Sequence, residues 1–380
     1  MFDRGASRAL TFGILSTYPP TPCGLATFSA ALASGLSARG DEVRVVRLAD
    51  GSTSSSCRVV GELVDGSAAS MAAAVDLLSG CDVAIVQHEY GVYGGYDGDE
   101  ILEVLGALRV PSIVVAHTVL SDPSPHQRAV LEAVADRAGR LVVMSDAARA
   151  RLCSRYAVSA DKVDTIPHGA AIPSRPRRQH RLDGPTLLTW GLVGPGKGIE
   201  RVIDAMPMLQ TLPGHPRYLV AGRTHPKVLA ADGDAYRDAR IEQARALGVA
   251  ASVEFDADYR DVPSLTALIQ SAAVVVLPYD SRDQATSGVL VDAIAAGRPV
   301  VATAFPHAVE LLATGAGIVV DHDDRDGLAL ALHRVLTQPG LAASMAAEAS
   351  RLAPTLSWQV VAAAYLDLAG RLLAEHAALV

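Results

Sequence analysis

Short, unbroken apolar runs alternate along this chain with longer amphipathic stretches rich in Ala and Leu. In the first half the runs are TFGILST (11–17), EVRVVRL (42–48), CDVAIVQH (81–88), PSIVVAHT (111–118) and RLVVMS (140–145). Helical patterns lie between them, beginning with ATFSAALASGLSARG (26–40), which stops near Gly40. A strand buried on both faces reads as a continuous apolar run. The order therefore predicts a parallel sheet with helices on each side, a doubly wound α/β domain.

The pattern breaks at PHGAAIPSRPRRQHRLDGPT (167–186), which is rich in Pro, Gly and Arg and has no apolar period, and it reads as a solvated linker. Alternation then restarts with TLLTWGL (186–192), RYLVAG (217–222), SVEFD (252–256), AAVVVLP (272–278), PVVATA (299–304) and AGIVVD (316–321). The expected organisation is a first domain over 1–173, a linker over 174–185, a second domain over 186–355, and a long amphipathic helix over 356–380. The halves share an architecture and are not close sequence repeats. Ligands of such sheets sit beyond the carboxyl ends of the strands, so two such domains facing each other are expected to enclose a central cleft.

A length of 380 residues, half of them apolar, supplies two cores of ordinary size. The formal net charge of −8 argues against broad binding to nucleic acid or a membrane surface, so an anionic ligand has to be held locally. The four cysteines (Cys23, Cys57, Cys81 and Cys153) are scattered, which fits free thiols in a reducing compartment. Neither a signal peptide nor an apolar run of about 18 residues is visible, and a cytoplasmic protein is expected.

The candidate chemistry lies in the loops that follow strands. WGLVGPGKGIE (190–200) has the G-x-x-x-x-G-K spacing of a nucleotide-binding P-loop, with Gly191, Gly196 and Lys197 in register, but Gly198 stands where a magnesium-binding Ser or Thr would be. Its glycines, Gly194 among them, allow close backbone approach, and Lys197 adds a positive charge at a helix start, an arrangement suited to a diphosphate. A second cradle is expected in YDSRDQATSGVLVDAIAAG (279–297), where Thr286, Ser287 and Gly288 open a helix and Asp292 follows about a turn later, placed to accept ribose hydroxyls. In the first half Gly24 lies between the first strand and helix, His88, Glu89 and Tyr90 end one central strand, and His117 ends another. The acidic runs DGDE (97–100) and DHDDRDG (321–327) read as helix openings, and no metal site is assigned to either.

Together these segments resemble the retaining glycosyltransferases of family four, which have the GT-B fold. VVAHT, MSDAAR, IPHGA, the Lys-Gly loop, TSG and the closing SWQVVAAAYLDL all carry the likeness, which extends over nearly the whole chain. It resembles in particular a subset with WGLxGPGKG, GxTHP and DQxTSG segments. The resemblance implies that Lys197 and the backbone of Ser287, Gly288 and Val289 hold the donor diphosphate. It places Asp292 at the ribose, Gln284 at the donor sugar, His117 near the reacting centre, and Gly24 near the phosphates and acceptor. Acceptor contacts then fall to His88, Glu89 and Tyr90. The last helix is implied to cross back onto the first domain.

Two positions depart from the family pattern. Leu192 replaces the arginine that pairs with the diphosphate, with Arg223 as the candidate substitute. Gln284, or Asp283 with a one-residue shift, replaces the first glutamate of the E-x7-E motif.

The function implied is transfer of a hexose, by family frequency mannose from GDP-mannose, to a hydroxyl of an oligosaccharide or glycoconjugate with retention of configuration. Such an enzyme stabilises a departing diphosphate electrostatically and requires no cofactor beyond its nucleotide-sugar co-substrate. Its expected partners are that nucleotide sugar and a carbohydrate acceptor, without nucleic acid or a membrane span; a homo-oligomer is compatible with this. The alternatives are a sugar-nucleotide epimerase, a phosphorylase, or a non-catalytic carbohydrate-binding relative, the last made thinkable by Leu192 and Gln284.

Overall fold

The computed structural model describes residues 8–173, 184–258, 260–324 and 326–379. The chain divides into two compact units, Met1–Gly169 with Trp358–Val380, and Ala170–Ser357. Of the expected linker, residues 174–183 lie outside the described residues.

The first unit carries a seven-stranded parallel sheet, built from β1 (Thr11–Ser16), β2 (Glu42–Leu48), β3 (Val59–Leu63), β4 (Val83–His88), β5 (Ser112–Ala116), β6 (Arg140–Val143) and β7 (Val163–Thr165) in the order β3-β2-β1-β4-β5-β6-β7. All six residues of β4 are buried, as continuous apolar runs require when helices cover both faces. On one face Phe28, Leu32 and Leu36 of the helix Gly24–Ser37 pack with Val361, Tyr365 and Leu368 of the helix Trp358–Leu379 over Phe12, Ile14, Val83 and Ile85. β3 and β7 are not among the strands read from the sequence. Both lie at sheet edges, and β3 is only alternately buried.

The second unit repeats the plan with six strands, β8 (Thr186–Trp190), β9 (Arg217–Ala221), β10 (Val253–Asp256), β11 (Val274–Leu277), β12 (Val300–Thr303) and β13 (Gly317–Val320), in the order β10-β9-β8-β11-β12-β13 and again all parallel. Strand order reverses between β1 and β4 in the first sheet and between β8 and β11 in the second. A crevice opens at such a reversal because the connections leave in opposite directions. The loops that flank these two points are the Gly24 and Glu89 loops in the first unit, and the Lys197 and Tyr279 loops in the second.

Candidate functional site

In the second unit the loop after β8 is shaped by its own turn residues. The Gly194 carbonyl accepts the Lys197 N–H at 3.2 Å, with Pro195 and then Gly196 (φ 85°) at the centre, the pattern of a type II turn. Gly198 is left-handed (φ 64°) and caps the helix Ile199–Leu209. A Cβ there would lie 1.8 Å from the Pro278 carbonyl oxygen, so the position that differs from a P-loop has no room for a hydroxyl-bearing side chain. The Asp280 N–H donates to the Gly196 carbonyl at 3.0 Å, and the Arg201 guanidinium grips the Asp280 carboxylate at 2.8 Å. The loops after β8 and β11 are thereby fastened together.

Lys197 is half-buried, with its Nζ 4.5 Å from the centre of the Tyr279 ring. Among the described residues no carboxylate lies within ion-pair distance of it. Burial lowers its pKa, which measures the cost of holding an ammonium away from water without a counter-ion. Tyr279 is itself buried and stacks on Phe305 with the ring centres 5.3 Å apart. Its hydroxyl faces the Ser287 side chain without closing a hydrogen bond of ordinary geometry.

The helix Gly288–Ala295 opens on Ser287, whose hydroxyl accepts the Leu290 N–H. The Ser287 N–H, expected to meet a diphosphate, instead donates to Nδ1 of His307 at 2.8 Å inside the protein, which corrects the sequence reading. The remaining open donors of that first turn are the N–H groups of Gly288 and Val289, for which no acceptor is found among the described residues. The Thr286 hydroxyl is likewise uncommitted. Asp292 is the fifth residue of this helix. Its carboxyl has no hydrogen-bond partner among the described residues, and burial pushes it up to about 7. Gln284 keeps its side chain uncommitted while its carbonyl accepts the His307 N–H.

Arg223 is exposed on the loop after β9. Its carbonyl accepts the Val193 N–H at 2.8 Å, and the His225 N–H donates back to the Val193 carbonyl at 2.8 Å, so this loop runs beside the segment that carries Leu192 and Gly194. The structure thus brings Gly194, Lys197, Arg223, Gln284 and the stretch from Thr286 to Asp292 to one end of one sheet. Tyr279 and His307 belong to the same array and were missed. A buried aromatic and a histidine on a short helix carry no local signal, because their partners are distant in sequence.

In the first unit Cys23 caps the Gly24 helix through its sulfur, and Gly24 is exposed, with open space where a side chain would be. The loop before it is braced from below. Arg47 is fully buried and donates to the Tyr18 and Ser52 carbonyls, the Thr21 hydroxyl and the Asp50 and Glu62 carboxylates. His117 Nε2 lies 2.6 Å from Gln87 Oε1, and its ring meets Phe28 edge-on at 4.9 Å. Phe28 also meets His168 and Trp358 edge-on. Burial, then the neighbouring His168 and His88, lowers His117 to about 3, so the ring is neutral.

The expected acceptor group separates. His88 is 1% exposed with neither ring nitrogen hydrogen-bonded, so it is withdrawn from the surface and cannot touch an acceptor directly. Strand parity turns it away from the face that Gln87 shares with His117. Glu89 and Tyr90 stay half-buried, with Glu89 accepting from the Thr118 hydroxyl at 2.6 Å and Tyr90 donating to the Gln127 carbonyl at 3.2 Å. The acidic run 97–100 does lead into the helix Ile101–Ala107, with Glu100 at its N-cap position, but Asp97 and Asp99 face His126 and Glu100 accepts the Gly66 N–H, so none of them caps the helix by a side-chain hydrogen bond. Asp324 does cap the helix that follows it, accepting the Gly327 N–H at 2.8 Å. Among the described residues no three His, Cys, Asp or Glu side chains are placed to hold a metal ion, and no helix is long and apolar enough to cross a membrane.

Two family models match the chain, one in each half. Residues 22–172 match Glycosyltransferase Family 4, and residues 184–338 match Glycosyl transferases group 1. Each half of the chain is thus similar to a glycosyltransferase family model, the first half to that of family four. It is similar to the D-inositol 3-phosphate glycosyltransferase of Rhodococcus jostii, 29% identical over 68% of this chain and 60% of that protein. It is also similar to the phosphatidyl-myo-inositol mannosyltransferase of Mycolicibacterium smegmatis, 32% identical over 59% of this chain and 55% of the other. The chain spans about three fifths of the length of the first of these curated relatives. Among solved structures it is similar to a glycosyltransferase from Rickettsia africae, with a TM-score of 0.76 at 14% identity over 97% of this chain and 99% of that one. Anabaena HepE in complex with UDP and glucose superposes with a TM-score of 0.72 at 18% identity over 94% and 98% of the two chains. At such identities these likenesses establish the GT-B fold, two Rossmann-like domains with parallel sheets.

Proposed function

We propose that the chain transfers a hexosyl group from a nucleoside-diphosphate sugar to a hydroxyl acceptor with retention of anomeric configuration. The observation that carries this reading is Lys197. It is a desolvated cation without a counter-ion among the described residues, fastened through its loop to a second loop that leads to the amides of Gly288 and Val289, open among the described residues. Such an array fits a diphosphate leaving group, whose charge grows as the anomeric C–O bond breaks. The acceptor oxygen forms the new bond on the same face, and its proton passes to the leaving phosphate oxygen. Lys197, the two amides and the Thr286 and Ser287 hydroxyls stabilise that leaving group. Asp292 accepts from the ribose, Gln284 contacts the sugar, and Arg223 supplies the charge absent at Leu192. His117, neutral and held by Gln87, is the hydrogen-bonding group that the first unit offers to a sugar.

The donor we favour is GDP-mannose, a choice supported by the relative named as a mannosyltransferase. The acceptor is an oligosaccharide or glycoconjugate hydroxyl. Two relatives are named for inositol phosphate and phosphatidyl-myo-inositol, so polyol phosphates belong in the acceptor panel. The test is a screen of nucleotide sugars for nucleoside-diphosphate release with and without acceptor, run beside Lys197→Ala. Turnover of one donor, lost in the variant, is expected. If no nucleotide sugar is bound or turned over, the reading fails.

A further inference from the structure

The second unit holds a histidine that neither loop motif contains. His307 lies on the first turn of the helix Pro306–Leu312, is 4% exposed, and reaches back 20 residues to accept the Ser287 N–H on Nδ1 at 2.8 Å. Its own main-chain N–H donates to the Gln284 carbonyl, so one residue clips both ends of the segment 284–287. Ser287 is 3% exposed, and a buried N–H needs an acceptor. The Ser287 hydroxyl accepts the Leu290 N–H, and His307 supplies the acceptor for the Ser287 N–H. Accepting on Nδ1 fixes the neutral ring with its proton on Nε2.

Two residues earlier, Phe305 stacks on Tyr279, the ring over which Lys197 Nζ lies. The Thr303 hydroxyl donates to the Tyr279 carbonyl at 2.6 Å, holding that ring from the same strand end. The tripeptide from Phe305 to His307 therefore touches both anchors of the cradle. It reaches the cation through Tyr279 and the amides through Ser287. A ligand with two linked phosphates spans both anchors and is sensitive to the distance between them, whereas a single phosphate engages one at a time.

We propose that His307 is a positioning residue that sets the spacing between Lys197 and the Gly288 and Val289 amides, and so selects a nucleoside diphosphate over a monophosphate. This rests on the donor-binding reading above. The hydrogen bond matters through its geometry, and Asn is the side chain whose Oδ1 reproduces the position of Nδ1.

The experiment is calorimetric titration of the whole chain with UDP, GDP and the corresponding monophosphates, for the wild type, His307→Ala and His307→Asn. Loss of one buried hydrogen bond predicts that His307→Ala weakens diphosphate binding roughly tenfold and monophosphate binding no more than about threefold. His307→Asn should restore the diphosphate affinity to within about threefold of wild type. Unchanged diphosphate binding by His307→Ala overturns the proposal. So does an equal loss for both nucleotide classes, which is what a general loosening of the fold would give, or a folded His307→Asn as weak as the Ala variant. If His307→Ala does not fold, His307→Gln, which carries its acceptor one carbon further out, is compared with His307→Asn. Retention in Asn and loss in Gln supports the role, and equal affinities overturn it. Failure of the wild type to bind either diphosphate sinks the donor reading and this role together, whereas unchanged binding by His307→Ala sinks only this role.

Discussion

A methyl group on Gly198 would overlap the carbonyl oxygen of Pro278, at a separation of 1.8 Å. The Lys197 loop and the end of β11 touch backbone to backbone there, and this contact places Lys197 over Tyr279. Gly198 is also left-handed, so strain and overlap act in the same direction. Gly198→Ser should destabilise by about 2–4 kcal/mol, read as a lower urea midpoint at unchanged m. It should weaken nucleoside-diphosphate binding without creating magnesium-dependent binding of nucleoside triphosphates. A stable Gly198→Ser variant that gained such binding would show that the loop is a P-loop lacking only its hydroxyl.

Lys197→Met keeps the side chain's length and apolar stem and removes its charge. Nucleoside-diphosphate affinity should drop by about 10- to 100-fold, and donor turnover by about 10²–10³, since charge on the leaving group is greatest in the transition state. Thermal stability should hold or rise, because burial disfavours the ammonium in the unliganded protein. Lys197→Arg should rescue only in part, since a longer, planar guanidinium stacked on the Tyr279 ring sets its charge at a different place from a compact ammonium. Scanning calorimetry beside a donor-turnover assay separates these outcomes, and a large fall in melting temperature for Lys197→Met would mean the lysine is structural.

How legible this site is from sequence differs from residue to residue, for physical reasons. β4 and β11 are buried on both faces, so hydrophobicity alone marks them. β3 and β7 are short edge strands, which a sequence pattern records weakly. Lys197 and Thr286 stand out because a charge and a hydroxyl in glycine-bearing loops have few structural uses. The Lys197–Tyr279 and Ser287–His307 contacts are invisible along the chain, since they exist only where β8, β11 and β12 lie side by side. His88 is withdrawn because helices cover both faces of β4, and it lies on the face opposite to Gln87, which meets His117.

Three histidines of the first unit, one buried and two half-buried, predict an acid-side loss of stability. Burial lowers His88 and His168 to about 4 and His117 to about 3, against an ordinary value of 6.5. Between those values the unfolded chain binds protons that the folded one refuses. Their contribution is therefore complete above pH 6.5 and is lost as pH falls toward 4. Urea unfolding at pH 7, 6 and 5 should show a midpoint that drops steeply with acid. His88→Phe, which keeps an aromatic ring among the same neighbours, should flatten that drop. A midpoint independent of pH over this range would mean that these rings take up protons as readily in the folded protein as in the unfolded chain.

With Asp292 at the ribose, nucleotide binding is expected to release a proton. Its carboxyl is pushed up to about 7 by burial and has no hydrogen-bond donor among the described residues. In the free protein at pH 6 it is mostly protonated, and above pH 7 the unsupported charge counts against the fold. Ribose hydroxyls that donate to it would favour the ionised form and draw its pKa down. Binding should then release close to one proton from this group at pH 6, and affinity should rise with pH until the free carboxyl is ionised. Calorimetry at pH 6 in two buffers of different ionisation enthalpy measures the release, and the same titration of Asp292→Asn subtracts the proton that belongs to the nucleotide's own phosphate. Equal release by wild type and variant would remove Asp292 from the ribose.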